Sequence, residues 1–256
     1  MNNTAYGVLA GFVLIGLMIV GTGGNAGALV DPIGIAIVFG GVVTAALVSF
    51  RNNQIKAMRQ GLVLIFREDP SIEPEINQLV KFAGDYVRKD LRAAEQTIAQ
   101  TTSPFLKLGF QLALDNTSLD DMMRILEWRI RQLRENEMST SRCFRFMAGF
   151  SPAFGMLGTL AGLIGMLGKL NVADISVISA HLALALTTTV YGLVLAYIVF
   201  RPISIKLEQR TQRRVFMLNV LMDGIVLIRA GRGPAMIEDN LRHLLMENRD
   251  EVRGID

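Results

Sequence analysis

Four long stretches of this chain contain no Asp, Glu, Lys or Arg: residues 1–30, 32–50, 146–168 and 175–200. A helix needs about 20 apolar residues to cross the hydrocarbon core of a bilayer, so each stretch is long enough to span one. The cluster "GTGGNAG" (21–27) marks the end of the first helix. The expected spans are therefore roughly 4–21, 32–50, 146–168 and 177–200. A secretory signal peptide is not expected, because the N-terminus lacks a basic region and a second span follows after a short loop. The expected class is an all-α integral membrane protein with four transmembrane helices and a helical cytoplasmic domain.

Charge sets the orientation. Fifteen Lys and Arg lie between Arg51 and Arg145, ten lie from Arg201 onward, and only Lys169 remains for the other side. The positive-inside rule then places 51–145 and 201–256 in the cytoplasm, with Arg51, Arg145 and Arg201 as boundary anchors and both termini inside. The expected organisation is a pair of spans in 1–50, a cytoplasmic helical domain in 51–145, a hairpin of spans in 146–200 and a cytoplasmic tail in 201–256. The outer loops, about 22–31 and 169–175, are too short to fold alone. The net charge of +3 follows the cytoplasmic side and gives no reason to expect nucleic acid. Cys143 is the only cysteine, and the two histidines, His181 and His243, are far apart in the chain. That spacing offers no clustered metal site and no nucleophile–histidine arrangement, so no enzyme and no bound cofactor are expected.

The cytoplasmic segments read as helices. "REDPSIEP" (67–74) and "TTSP" (101–104) break them, and "SLDD" (118–121) has the form of a capping box with Asp in place of Glu. Met122, Leu126, Ile130 and Leu133 then form one apolar stripe. No Gly or Pro interrupts the chain from there to Arg145, so this helix is expected to run into the third span. The tail reads as helix to about Ile228, a break at "AGRGP" (230–234) and a second helix.

The third span, "FMAGFSPAFGMLGTLAGLIGMLG", sets Gly155, Gly158, Thr159, Gly162 and Gly165 broadly on one face, and the fourth repeats the pattern with Ala185, Thr189, Gly192 and Ala196. Small residues let membrane helices approach closely, and packing alone accounts for most of them. The hairpin brings Thr159 level with the run Thr187, Thr188, Thr189. A single threonine often bonds its own helix and is otherwise silent. Several at one depth point to a polar pathway instead. Ion pathways in membranes generally need an ionisable group, and the spans contain no Asp, Glu, Lys or Arg, so the carboxylate would have to come from another chain. "GTGGNA" (21–26) fits a loose dinucleotide fingerprint, but a membrane span precedes it and another follows, so an outer turn is the better reading.

The segments "SPAFGMLGTLAGLIGMLGKL" and "LALTTTVYGLVLAYIVFRPISIKL" resemble the third and fourth helices of the MotA/PomA flagellar stator family. "LMDGIVLIRAGRGPAMIEDNL" resembles that family's cytoplasmic tail, and "DPIGIAIVFGG" its second helix. The related ExbB/TolQ proteins have three spans and an outer N-terminus, which this sequence does not match. The resemblance implies a ring of subunits, five in number, in the bacterial inner membrane around a MotB/PomB-type peptidoglycan-binding partner. The partner supplies the ion-carrying aspartate, and flow of Na+ or H+ turns the ring against the rotor protein FliG. It also implies an ion path at Thr159, Thr188 and Thr189, with Thr188 leaning the reading toward sodium. Pro152 and Pro202 match two prolines important in the family, and Arg88 and Lys89 match a rotor-facing basic pair. Gly155, Gly158, Gly162 and Gly192 remain the helix-packing residues.

One stretch departs from the family. After the basic pair the family usually has a glycine and a Leu-Ala-Leu-Glu run; this chain reads "RKDLRAAEQ", with no glycine and one residue fewer. Glu95 is the counterpart of the rotor-facing acid on that shortened alignment. Three other readings stand beside the stator: an autonomous channel, the energising subunit of a related ion-driven machine such as gliding motility, and a membrane scaffold without ion flow.

Overall fold

The computed structural model describes residues 13, 16–17, 21, 31–65, 71–169 and 175–253. Most of the expected first span, the end of "GTGGNA", most of both outer loops and the start of "REDPSIEP" lie outside the described residues. Among the described residues every regular element is helical. In chain order these are α1 Pro32–Ser49, α2 Asn52–Ile65, α3 Glu73–Val87, α4 Leu91–Gln100, α5 Pro104–Leu114, α6 Leu119–Leu167, α7 Ile175–Val194, α8 Arg201–Arg229 and α9 Pro234–Arg253. Three described helical runs are long and apolar enough to cross a membrane: Pro32–Ser49, Leu119–Leu167 and Ile175–Arg229.

Local chemistry explains the boundaries. Asp31 caps α1 by accepting the backbone N–H of Ile33 at 2.9 Å, with Pro32 preorganised behind it. Ser118 opens α6: its hydroxyl oxygen accepts the N–H of Asp121 at 3.2 Å and its O–H donates to the Asp121 carboxylate at 2.7 Å. In a full capping box a longer Glu reaches back to the cap's backbone; the shorter Asp bonds the cap's hydroxyl instead. The run from α7 into α8 is unbroken but not uniform, because Leu195–Phe200 is π-helical and the Arg201 N–H reaches back to Ala196 O. Pro202 follows at once, and it has no N–H for the carbonyl four residues back.

The chain divides into two compact units, Met1–Phe66 with Ser139–Leu207, and Arg67–Met138 with Glu208–Asp256. Within the second, Phe82 stacks on Phe110 with ring centroids 4.0 Å apart, and Ile76, Leu79, Leu106, Met122, Leu126, Leu221 and Ile225 complete a fully buried core. Gly224 of the "MDG" block packs there: a methyl added to it would lie 2.8 Å from Leu79 Cδ1. Three helices in this unit end in a Schellman closure, at Lys89, Asn116 and Gly231, with φ of 59°, 55° and 77°. At the first, the Asp90 N–H bonds Asp85 O and the Lys89 N–H bonds Tyr86 O, while Asp90 goes on to cap α4 through Ala93 N–H.

Candidate functional site

The hairpin seam lies within the first unit, where α6 and α7 meet along their small residues. A methyl on Gly155 would lie 2.9 Å from Thr188 O, one on Gly158 2.6 Å from Thr188 Cβ, and one on Gly192 2.7 Å from Ser151 O. Carbon atoms pack at about 3.5–4.0 Å, so none of these positions has room for a side chain. Gly162 sits against Ala185 and the carbonyl of His181. Pro152 lies where Gly192 crosses, and Ser151 returns its hydroxyl to Met147 O at 2.7 Å. α1 joins the pair through the buried stripe Gly34, Val38, Val42 and Ala46, with Gly34 set against Thr188 and Tyr191.

The three consecutive threonines separate, because successive helical residues point about 100° apart. Thr187 bonds Ala183 O at 2.9 Å, and Thr188 bonds Leu184 O and Ala185 O, both at 3.0 Å. Both are buried and bonded to their own helix, and Thr188 is wedged between Gly34 and Gly158. Thr189 faces the third span. Its hydroxyl oxygen lies 2.5 Å from that of Thr159, which is also 3.0 Å from both Gly155 O and Ala185 O. Two hydroxyl protons thus serve four converging oxygens: one hydroxyl donates to the other, which donates to a carbonyl. Both threonines are half-buried, so the cluster opens to one side of the chain. Thr188 shares the Ala185 carbonyl with this cluster, donating to it at 3.0 Å, while its methyl packs against Gly34 and Gly158.

Pro202 is exposed beyond the π-helical segment. Arg88, Lys89 and Glu95 are exposed in the second unit and make no ion pair among the described residues. Arg88 and Lys89 form the turn after α3, and Glu95 stands on α4. Lys89 supplies the left-handed residue of the turn between α3 and α4.

Several features escaped the sequence reading. The Asp31 N–H donates to the Tyr191 hydroxyl at 2.8 Å, which ties the start of α1 to a residue past the midpoint of the expected fourth span. Ser141 and Ser204 clasp each other, each hydroxyl bonding the other residue's carbonyl at 2.9 and 3.1 Å, with both side chains buried. His181, on the seam, has its ring over Gly165, where an added methyl would lie 2.8 Å from Nδ1. A count of ionisable residues that included histidine would have singled it out.

The profile of the MotA/TolQ/ExbB proton channel family matches residues 97–219. Over 250 residues the chain is 32% identical to the chemotaxis protein PomA of Vibrio alginolyticus, covering 96% of each. Over 251 residues it is 31% identical to YtxD of Bacillus subtilis (strain 168), covering 97% of this chain and 91% of that one. Among solved structures, C. jejuni MotAB superposes with a TM-score of 0.84 at 25% identity, over 94% of both chains. The flagellar MotAB stator complex from Bacillus subtilis gives 0.83 at 23% identity over 100% of both, a likeness of fold. The chain therefore belongs to the MotA/TolQ/ExbB proton channel family, as a membrane-embedded flagellar stator subunit of the MotA/PomA type.

Proposed function

We propose that five copies of this chain form a ring in the bacterial inner membrane, with both termini cytoplasmic, around a MotB/PomB-type peptidoglycan-binding subunit. Inward flow of Na+ or H+ along the interface turns the ring against the rotor protein FliG. The observation that carries this reading is the oxygen cluster of Thr159, Thr189, Ala185 and Gly155, set in two stretches, 146–168 and 175–200, that hold no carboxylate of their own. Neutral oxygens fixed at one depth replace water around a passing cation, and a carboxylate on the partner's helix completes the site. The solved MotAB complexes, which pair a subunit of this fold with a MotB chain, support the choice of partner. Thr188 acts on the path from behind, by wedging α1 against the seam. Pro202 follows the π-helical segment of the fourth helix, and Pro152 removes a backbone donor inside the third. Arg88, Lys89 and Glu95 present charge to the rotor.

Co-expression with the MotB-type subunit in a swimming strain deleted for its own stators tests the proposal. The two chains should copurify, image as a five-fold ring and restore motility. A complex that assembles but neither passes ions nor restores swimming would overturn it.

A further inference from the structure

The oxygen cluster has a neighbour on the same seam. His181, Ala185, Thr189 and Gly192 repeat at four, four and three residues along α7, opposite Gly165, Gly162, Thr159 and Gly155 on α6. The imidazole occupies the space that the missing side chain of Gly165 leaves, and it is half-buried. It lies eight residues before Thr189 and six after the start of α7, hence about 9 Å inside the outer end of that helix and about 12 Å from the hydroxyl pair. Asp174 lies seven residues before it in the sequence, and other charges are more distant. Residues 146–168 of α6 carry none, Lys169 is exposed at that helix's outer end, Asp31 heads α1, and Tyr191 lies ten residues further along α7. An ionisable side chain inside a membrane helix generally belongs to a substrate or ion route, and a histidine held only for packing gains nothing from its titration.

We propose that His181 is an outer station on the cation path, resting on the reading of the Thr159–Thr189 seam as that path. In its neutral form the imidazole offers a nitrogen lone pair to the entering cation. Protonated, it repels the next one. Two unit charges about 12 Å apart in an effective dielectric of about 20 repel enough to change occupancy roughly tenfold. The ion-coupled cycle is unchanged; His181 sets how readily the hydroxyl pair is loaded at a given external pH.

The test compares the wild-type chain with His181→Gln and His181→Phe, each co-expressed with the MotB-type partner and checked by copurification. Swimming speed is measured at sub-saturating ion across external pH 5 to 8. The ratio of variant to wild-type speed cancels any change in driving force. For His181→Gln that ratio should change by about tenfold across the range, rising toward acid. His181→Phe, of similar bulk but without a lone pair, should raise the ion concentration for half-maximal speed several-fold at pH 8 and leave the maximal speed near wild type. Ratios constant with pH for both variants, with unchanged half-saturation, would overturn the proposal and leave His181 as packing over Gly165. Failure of the wild-type chain to support any motility would instead count against the stator reading beneath it.

Discussion

The two units of this chain solve the packing problem in opposite ways. In the second unit the large apolar residues are inside: Ile76, Leu79, Phe82, Leu106 and Phe110 are each 0% exposed. Along the hairpin of the first unit Leu160, Ile164, Leu167 and Leu186 point outward, between 55% and 69% exposed, while Gly155, Gly158, Gly162 and Gly192 fill the contact. Water drives apolar surface inward in the first case. Lipid exerts no such drive in the second, so close backbone approach and hydrogen bonds hold the helices instead. The seam therefore has polar atoms to spare at its centre, and those are the atoms a cation path needs.

The largest expected effect comes from enlarging the seam. Gly158→Leu or Gly162→Leu forces a branched side chain into gaps where even a methyl lies within 3 Å of a neighbour, so the complex should fail to copurify with its partner. The same residue moved outward is the control: Leu160→Ala or Ile164→Ala exchanges one lipid-facing apolar group for another and should leave recovery near normal. Recovery unaffected by both glycine variants would place the packing face elsewhere.

Next in size is Phe110→Ala, which removes a ring stacked 4.0 Å from Phe82 in a water-type core. Large-to-small changes of this kind cost about 3–5 kcal/mol. Thermal and proteolytic stability of the second unit should fall sharply, and cleavage should appear within Arg67–Met138. If Phe110→Ala were as mild as Leu160→Ala, the contrast between the two units would collapse.

The hydroxyl pair is expected to matter less for assembly and more for flow. Valine at Thr189 or Thr159 keeps the shape but removes an oxygen that a cation would meet. Losing one such contact to a charged species costs roughly 1.5–3 kcal/mol, about 10- to 100-fold in occupancy. Thr159→Val and Thr189→Val should each slow swimming severely with copurification intact, and the double variant should be little worse, because the hydroxyls act as one unit. Thr187→Val should be mild, since its hydroxyl bonds carbonyls of its own helix, Ala183 O and Leu184 O. Thr188→Val retains the methyl against Gly34 and should shift the sodium dependence of speed at fixed pH rather than abolish motion. Wild-type curves for both Thr159→Val and Thr189→Val would return the pair to a packing role.

How much of this was legible in the sequence depends on the range of the interaction. Charge-free runs report burial in lipid directly, and "TTSP" and "AGRGP" punctuate helices through local chemistry, so both could be read from neighbours alone. The small-residue face of the seam was readable because it is a property of one helix at a time. What separates Thr188 from Thr189 is a 100° turn relative to α1, and nothing near either residue encodes where Gly34 lies. The Asp31–Tyr191 bond joins residues 160 apart, and the Ser141–Ser204 clasp joins residues 63 apart. The π-helical stretch before Pro202 was missed for another reason: a proline usually signals a break, and here the helix widens locally and continues.

The smallest effect tests the turn between α3 and α4, where the second unit faces the rotor in the proposed mechanism. Lys89 has φ of 59°, a conformation that strains a residue with a Cβ by about 1–2 kcal/mol. Glycine relieves that strain but loosens the unfolded chain, at a cost of about 0.4–1 kcal/mol. Lys89→Gly should therefore stabilise the unit by about 0.5–1 kcal/mol, seen as a small rise in the melting temperature of the purified complex. The same change deletes an exposed charge, and exposed charges are individually worth only about 0–1 kcal/mol, so motility should fall slightly rather than stop. Lys89→Asn separates the two consequences, because asparagine tolerates the left-handed region and also lacks the charge. If both variants are stable and both swim more slowly, the charge at this corner acts on the rotor. If both swim as well as wild type, and Arg88→Glu does too, the corner is a turn between helices and the rotor is engaged elsewhere on the unit.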